Sequence, residues 1–279
     1  MDIERACLKK IILLALAEDR IEADVTTNSL MAFDGPALAE VRAKAVGVIS
    51  GTKVFKKTMQ AVDSTLKIKI AKADGSSVLP GDLVLEVEGR ESSILKAERA
   101  ALNFLQRLSG VATLTRLFME KLRPFRTELL DTRKTTPGMR YLEKKAVRDG
   151  GGSNHRLNLE DMALVKDNHI QMAGGIAPAV AAVRRAFPEK KIEVEVKNIP
   201  EFETALVLGV EIIMLDNFSL EMAKQAVAIN HGRAKLEISG NVTLENIAEK
   251  AASGVDFISV GALSHSFHSL DLSLNIMRS

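Results

Sequence analysis

Ile192-Glu-Val-Glu-Val196, Ile212-Ile-Met-Leu215, Lys235-Leu-Glu-Ile238 and Phe257-Ile-Ser-Val260 are short apolar runs that begin roughly twenty residues apart, with helix-like sequence between them. Runs of this length and composition read as strands. Strands alternating with helices at this spacing imply a parallel sheet with right-handed crossovers. Leu129-Leu130 and Ala163-Leu-Val165 extend the pattern upstream, giving six strands. Six point to an α/β barrel that is incomplete or open, short of the eightfold form. An open doubly wound sheet is the alternative topology.

Upstream of Glu128 the pattern changes. Val41-Arg-Ala-Lys-Ala-Val-Gly-Val-Ile49, Leu66-Lys-Ile-Lys-Ile70 and Leu83-Val-Leu-Glu-Val87 read as strands, the second alternating apolar with Lys as a half-exposed strand does. The turn pairs Asp74-Gly75 and Pro80-Gly81 separate them, which predicts a small, mainly antiparallel sheet. Ser92 to Leu122 has helical periodicity, with Ile94, Leu95, Ala101, Leu102, Leu105 and Leu108 as its buried stripe. Ser109-Gly110 predicts a break there into two helices. Leu8, Ile11, Ile12, Ala15 and Leu16 form the core face of an N-terminal amphipathic helix. The same run, preceded by Lys9-Lys10, superficially resembles a short signal peptide, but the helical spacing favours the core helix.

Composition narrows the function classes. With 46% hydrophobic and 27% charged residues in 279, the chain can bury a sizeable core. The 38 basic residues nearly balance the 36 acidic ones, so no global field draws polyanions. One Tyr and no Trp leave few stacking platforms for nucleic acid. The single Cys7 excludes an intramolecular disulfide and a Cys-cluster metal site, and fits a reducing compartment. No apolar run approaches the about 20 residues of a membrane span. The expectation is a cytoplasmic enzyme that binds neither nucleic acid nor membrane.

In an α/β barrel the active site lies at the C-terminal strand ends. Those ends carry Asp131-Thr-Arg-Lys134, Lys166-Asp-Asn-His169, Glu195-Val-Lys197, Asp216-Asn217, Ser239-Gly-Asn241 and Gly261-Ala262. Any one could be a helix cap, but polar groups at every end suit a catalytic rim. Arg133, Arg156 and Lys166 offer forks and a point charge for carboxylates or phosphates. His155, in the loop Gly150-Gly-Gly-Ser-Asn-His-Arg156, could donate to the same anion or pair with a carboxylate. Ser239-Gly240-Asn241 and Val260-Gly261-Ala262 run into helix starts, where backbone N–H groups can take phosphate. Glu195 and Asp216, on neighbouring strands, suit ribose hydroxyls or a shared Mg²⁺. Arg99 and Glu98, beside the long helix's stripe, read from their own context as a surface cation and a pairing carboxylate.

Asp-Thr-Arg-Lys-Thr-Thr-Pro-Gly (131–138), Glu143-Lys-Lys-Ala-Val147, Gly-Gly-Gly-Ser-Asn-His-Arg (150–156), Lys-Asp-Asn-His (166–169) and Met-Leu-Asp-Asn (214–217) together resemble the quinolinate phosphoribosyltransferases. Ala97-Glu-Arg99 with Leu102 to Gly110, Gly254 to Leu263, Leu16-Ala-Glu-Asp19 and Asp24-Val-Thr-Thr27 extend the resemblance along nearly the whole chain. It implies an N-terminal α/β sandwich domain over 1–122, an open α/β barrel over 123–264, and a tail over 265–279 that packs back on the first domain. The implied reaction joins quinolinate to phosphoribosyl pyrophosphate, giving nicotinate mononucleotide, pyrophosphate and carbon dioxide, with Mg²⁺ as the sole cofactor. By the same resemblance Arg133, His155, Arg156 and Lys166 bind quinolinate, Thr132 is a further substrate-binding residue, and Arg99 enters a neighbouring subunit's site in a dimer or dimer-based hexamer. Lys134, Lys166, Glu195 and Asp216 are the implied catalytic groups, Glu195 and Asp216 meeting the metal through substrate or water. Ser239, Gly240, Asn241, Val260, Gly261 and Ala262 would hold the 5′-phosphate. Asn241 stands where the family often has Gly, although Asn tolerates left-handed backbone.

Other readings remain for the residues alone. A related transferase could act on a different acid, and a silent binding protein could keep the scaffold. A Schiff-base aldolase would need Lys166 in an apolar, pKa-lowering pocket.

Overall fold

The structure, a computed structural model, describes residues 3–277, with side chains from residue 7 onward. Its strands, in chain order, are β1 (Pro36–Ala43), β2 (Gly47–Val48), β3 (Lys67–Ile70), β4 (Ser77–Val78), β5 (Leu83–Arg90), β6 (Glu128–Leu130), β7 (Ala163–Val165), β8 (Ile192–Val196), β9 (Ile212–Asp216), β10 (Lys235–Ser239), β11 (Phe257–Ser259) and β12 (Leu272–Met277). They belong to two compact units. The first takes in the described residues up to Arg116, together with Thr135–Gly151 and those from Ser266 on; the second comprises Leu117–Lys134 and Gly152–His265. The division is thus not a single cut near residue 122.

The first unit is built on a four-stranded sheet in the order β12-β1-β5-β3. Its pairings are antiparallel, as the short turns between upstream runs require. The edge strand β12 comes from the far end of the chain and pairs Ala39 with Ile276 and Val41 with Leu274. Val41, Val87 and Leu85 pack with Ile94, Ala101, Leu102 and Leu105 of the long helix in one apolar cluster. Sheet on helix is the sandwich expected. The N-terminal helix Ile3–Glu18 buries Leu8, Ile12 and Leu16 at four-residue spacing.

Two helix expectations need correction. Glu91–Leu122 is one continuous helix, unbroken at Ser109-Gly110. Gly110 serves close packing: a Cβ there would overlap the backbone carbonyl of His268. Ser109 likewise serves a distant partner, its hydroxyl accepting the Ser50 N–H at 3.0 Å. Leu95 is exposed; one residue beyond Ile94 it has turned about 100° away from the buried stripe.

The second unit holds a six-stranded parallel sheet in the order β6-β11-β10-β9-β8-β7. The order decides between the two topologies. Strands β7 to β11 follow one another without reversal, and the last then pairs with the first, β6. A doubly wound sheet reverses its order and leaves those two apart. Here the sheet curls round to meet its own beginning, and only β6 and β7 remain unpaired with each other among the described residues. It is an open α/β barrel. Successive strand ends therefore face one mouth.

Candidate active site

Side chains alternate along a strand, so one parity of each barrel strand points to the interior. Leu164 and Lys166, Glu193 and Glu195, Met214 and Asp216, and Glu237 and Ser239 share those positions. The registers pair Glu195 with Met214, Glu237 with Met214, and Ser239 with Asp216. At the C-terminal mouth these residues, Glu193 apart, line a cavity of about 410 Å³, within the range of small-ligand sites. Its lining includes Thr132, Arg133, Lys134, His155, Arg156, Lys166, Glu195, Asp216 and Ser239 from the expected set.

One wall is basic. Arg133 buries its Nε without any hydrogen-bond partner, an orphaned donor that an anion would satisfy. Arg156 has a depressed pKa because burial, and then the neighbouring Arg133 charge, both disfavour its cation. Two guanidiniums that repel each other beside an empty volume favour a counter-anion between them. Lys166 reaches Glu195 at 3.8 Å and its side chain is 47% exposed. An exposed, ion-paired ammonium lacks the desolvation a Schiff-base lysine requires, which disfavours the aldolase reading.

Acidic groups share the cavity. Burial raises the pKa of Glu195; the Lys166 cation opposes this, while Asp216 adds to it. Two carboxylates on adjacent strands facing one cavity are hard oxygen donors, so this pair fits Mg²⁺ held partly through phosphate or water.

Loop geometry is set from below. Asp131, buried at the end of β6, accepts the His155 N–H at 2.9 Å and the Asn154 amide at 2.6 Å. That clamps the His155-Arg156 turn over the cavity. Two of the glycines before His155 have separate structural roles. Gly150 ends the helix Arg140–Gly150 and has no room for a Cβ, which would lie 2.5 Å from both the Ala112 oxygen and the Thr115 Cβ. Gly151 caps that helix at φ 102°.

At the far rim, Gly240 adopts φ 92° and Asn241 φ 48°. A Cβ at Gly240 would overlap the Asn217 side chain. Asn241 donates to the Asn217 Oδ1 at 3.2 Å, and Asn217 donates to Asp216 at 3.0 Å. The turn after β10 is thereby tied to the carboxylate ending β9. Gly261 stands against Lys134, whose carbonyl accepts the Ser264 hydroxyl at 2.8 Å. Gly240, Asn241, Val260, Gly261 and Ala262 lie outside the cavity's lining, next to Ser239 and Ser259 within it. Arg99 is exposed on the part of the Glu91–Leu122 helix that belongs to the first unit.

Two interior residues were not among the expected site groups. Glu193 and Glu237 are fully buried beneath the mouth, both near His155. The His155 Nδ1 accepts the Arg156 N–H at 2.9 Å, and Nε2 meets Glu193 at 2.9 Å. Both ring nitrogens are thus engaged by protein, which makes His155 more a strut for Arg156 than a free donor to an anion. The parity of Ile192-Glu-Val-Glu-Val196 was the available signal: Glu193 shares a face with Glu195.

Comparison with known proteins shows the family. Residues 24–109 match the N-terminal domain of quinolinate phosphoribosyl transferase, and residues 111–275 its C-terminal domain. The chain is 41% identical, over 96% of its length and 82% of the relative's, to the chloroplastic nicotinate-nucleotide pyrophosphorylase [carboxylating] of Arabidopsis thaliana. Among solved structures it resembles NadC from Streptococcus pyogenes, with TM-score 0.92 and 41% identity over 97% of each chain. The nicotinate-nucleotide pyrophosphorylase of Francisella tularensis gives TM-score 0.94 at 39% identity, over 98% of this chain and 96% of that one. Two matched domains in order, a shared barrel and a cavity walled by two arginines and two carboxylates lead to one statement: this chain belongs to the quinolinate phosphoribosyl transferase family.

Proposed function

We propose that the chain transfers the phosphoribosyl group of phosphoribosyl pyrophosphate to quinolinate, with loss of carbon dioxide, in NAD biosynthesis. The observation that carries this reading is one cavity lined by charges of both signs. Arg133 with its orphaned Nε, Arg156 and Lys166 suit a dianionic ring acid, and they share that cavity with Glu195 and Asp216.

The chemistry follows from that arrangement. The basic wall holds both carboxylates and aims the ring nitrogen at the anomeric carbon. As pyrophosphate departs, positive charge grows on the ribose, and Glu195 and Asp216 stabilise it. The nitrogen lone pair forms the new C–N bond, leaving a pyridinium ring. The carbon–carbon bond to the adjacent carboxylate then breaks, its electron pair stays on the ring carbon beside the cationic nitrogen, and a proton replaces carbon dioxide. Mg²⁺, held near Glu195 and Asp216 through phosphate oxygens or water, would neutralise charge on the leaving pyrophosphate. Lys134 and Thr132, at the end of β6, would bind the phosphoribosyl donor, and the turns Ser239-Gly240-Asn241 and Val260-Gly261-Ala262 its 5′-phosphate. Exposed Arg99 supports a homo-oligomer in which one protomer's arginine completes its partner's anion site. The single, exposed Cys7 suits a reducing compartment, and we place the enzyme in the cytoplasm.

Offering quinolinate and nicotinate side by side with phosphoribosyl pyrophosphate and Mg²⁺ tests the assignment. Nicotinate mononucleotide should form from quinolinate. Formation from nicotinate alone would overturn it.

A further inference from the structure

Beneath the basic wall, the carboxylates of Glu193 and Glu237 and the ring of His155 form one buried cluster. One donor or acceptor atom from each lies within 4.8 Å of the others. Both glutamates have no exposed surface. The His155 Nδ1 accepts a backbone N–H, so the ring presents an N–H from Nε2. That proton is given to Glu193 Oε2 at 2.9 Å. Glu237 is left at 3.5 Å from the same nitrogen, and neither of its oxygens has a hydrogen-bond partner. Glu193 Oε1 is equally without one.

Three buried, unpartnered carboxylate oxygens side by side call for a donor. Two ionised carboxylates this close in a dry interior repel, and one of the pair then keeps its proton. Glu237 is the one whose oxygens accept no hydrogen bond, with the His155 Nε2 at 3.5 Å and Ser259 as its nearest donors. A hydroxyl on Glu237 can serve the idle oxygen of Glu193 and remove the uncompensated charge. Glu237 also lines the cavity, so its charge faces whatever the arginines bind.

We propose that Glu237 is carried as the neutral acid, and that its proton is a condition for binding the dianionic substrate, so that an enzyme deprotonated at Glu237 takes up a proton when quinolinate binds. The inference rests on the functional reading above. An ionised Glu237 would place a second negative charge under the site of a dianion whose own carboxylates stay ionised throughout neutral and alkaline pH. The surrounding groups agree. Burial first, and the Glu193 charge second, push the Glu237 pKa up to about 8, while His155, Ser259 and Lys166 oppose the rise. The sign follows: the binding-competent acid prevails below about 8 and is lost above it. Glu237 is a positioning residue for charge balance, separate from the groups that touch ribose.

Direct quinolinate binding by the full chain, measured from pH 6 to 10 by calorimetry, tests this. Affinity should be level at low pH and weaken by about tenfold per pH unit above the transition. Near the transition, runs in two buffers of different ionisation enthalpy should show net proton uptake on binding. Glu237→Gln, which keeps an uncharged group of the same shape, should abolish both the alkaline weakening and the uptake. Wild-type affinity that is flat to pH 10, uptake of no proton, or a Gln variant with the wild-type pH profile would each overturn the proposal. So would a stoichiometric transition metal in the purified protein, since it would occupy the place of the proton. If Glu237→Gln does not fold, the two-buffer experiment on the wild type decides alone. Failure to bind quinolinate at any pH would instead sink the functional reading beneath it.

Discussion

Asp131 Oδ1 accepts the backbone N–H of His155 at 2.9 Å, tying the end of the first barrel strand to the loop that carries Arg156. The other carboxylate oxygen holds Asn154 at 2.6 Å. Two charged hydrogen bonds to one buried acid fix where the guanidinium of Arg156 can stand. Asp131→Ala removes both and frees the loop. A displacement of about 1 Å at a positioned group costs roughly 100-fold in rate, so kcat/KM for quinolinate should fall by about that factor. Steady-state kinetics check this, with Arg156→Ala as the comparison; the double variant should lose little more than Arg156→Ala alone.

Glu195 sets a pH limit. In the proposed mechanism its ionised form stabilises charge on the ribose, and burial raises its pKa above the ordinary glutamate value. Activity should therefore decline on the acid side at a higher pH than an exposed glutamate would allow. Glu195→Gln should lower kcat by about 100-fold and remove that acid limb. A pH–rate profile of both proteins supplies the check; an unchanged limb in the variant would assign it elsewhere.

Much of this was legible in the chain. Short strand-like runs recur here at regular spacing, so Ile192–Val196 and its successors could be placed to within a residue, and their C-terminal ends gave the rim. Less visible was whatever depends on partners distant in sequence. Leu272-Ser-Leu-Asn-Ile-Met277 alternates cleanly, yet its place beside β1 is a contact across more than half the chain. Gly110 reads locally as a breaker because the carbonyl of His268 that demands it is remote. Glu193 and Glu237 lie one alternation below the strand ends, where a scan of the rim does not look.

Gly110 yields a prediction opposite to helix propensity. In an exposed helix interior Gly→Ala stabilises by about 1 kcal/mol. Here the added methyl meets the His268 backbone, which cannot rotate away as a side chain can. Gly110→Ala should destabilise the fold by about 1–3 kcal/mol, read as a lower urea midpoint at unchanged m-value.

Asp34 anchors the start of the long helix. It accepts from the Ser92 N–H at 3.0 Å, the Ser92 hydroxyl at 2.8 Å and Arg90 at 2.6 Å. The Ser92 N–H bond above all, with Arg90 and the Ser92 hydroxyl, outweighs its burial and holds its pKa near 2. Because the folded value is depressed, the stabilisation is complete above the unfolded value of about 4 and fades as pH falls toward 2. Asp34→Ala should cost about 1–2 kcal/mol at pH 7, and the gap to wild type should narrow in denaturant titrations at pH 3.

Arg99 tests the shared site. Arg99→Ala and Arg133→Ala should each be inactive as homo-oligomers. Mixed and allowed to exchange subunits, they should recover part of the wild-type rate, because some sites then hold both arginines. Absence of any recovery in subunits shown to exchange would place Arg99 outside the catalytic site.

The central claim is that one cavity holds a two-carboxylate acid against a phosphoribosyl donor and releases one of the carboxylates. Quinolinate labelled in the carboxyl next to the ring nitrogen measures this directly, as labelled carbon dioxide counted against nicotinate mononucleotide. Equal amounts of both, formed only when phosphoribosyl pyrophosphate and Mg²⁺ are present, are the predicted result. Nucleotide without labelled carbon dioxide, or neither product, would contradict it.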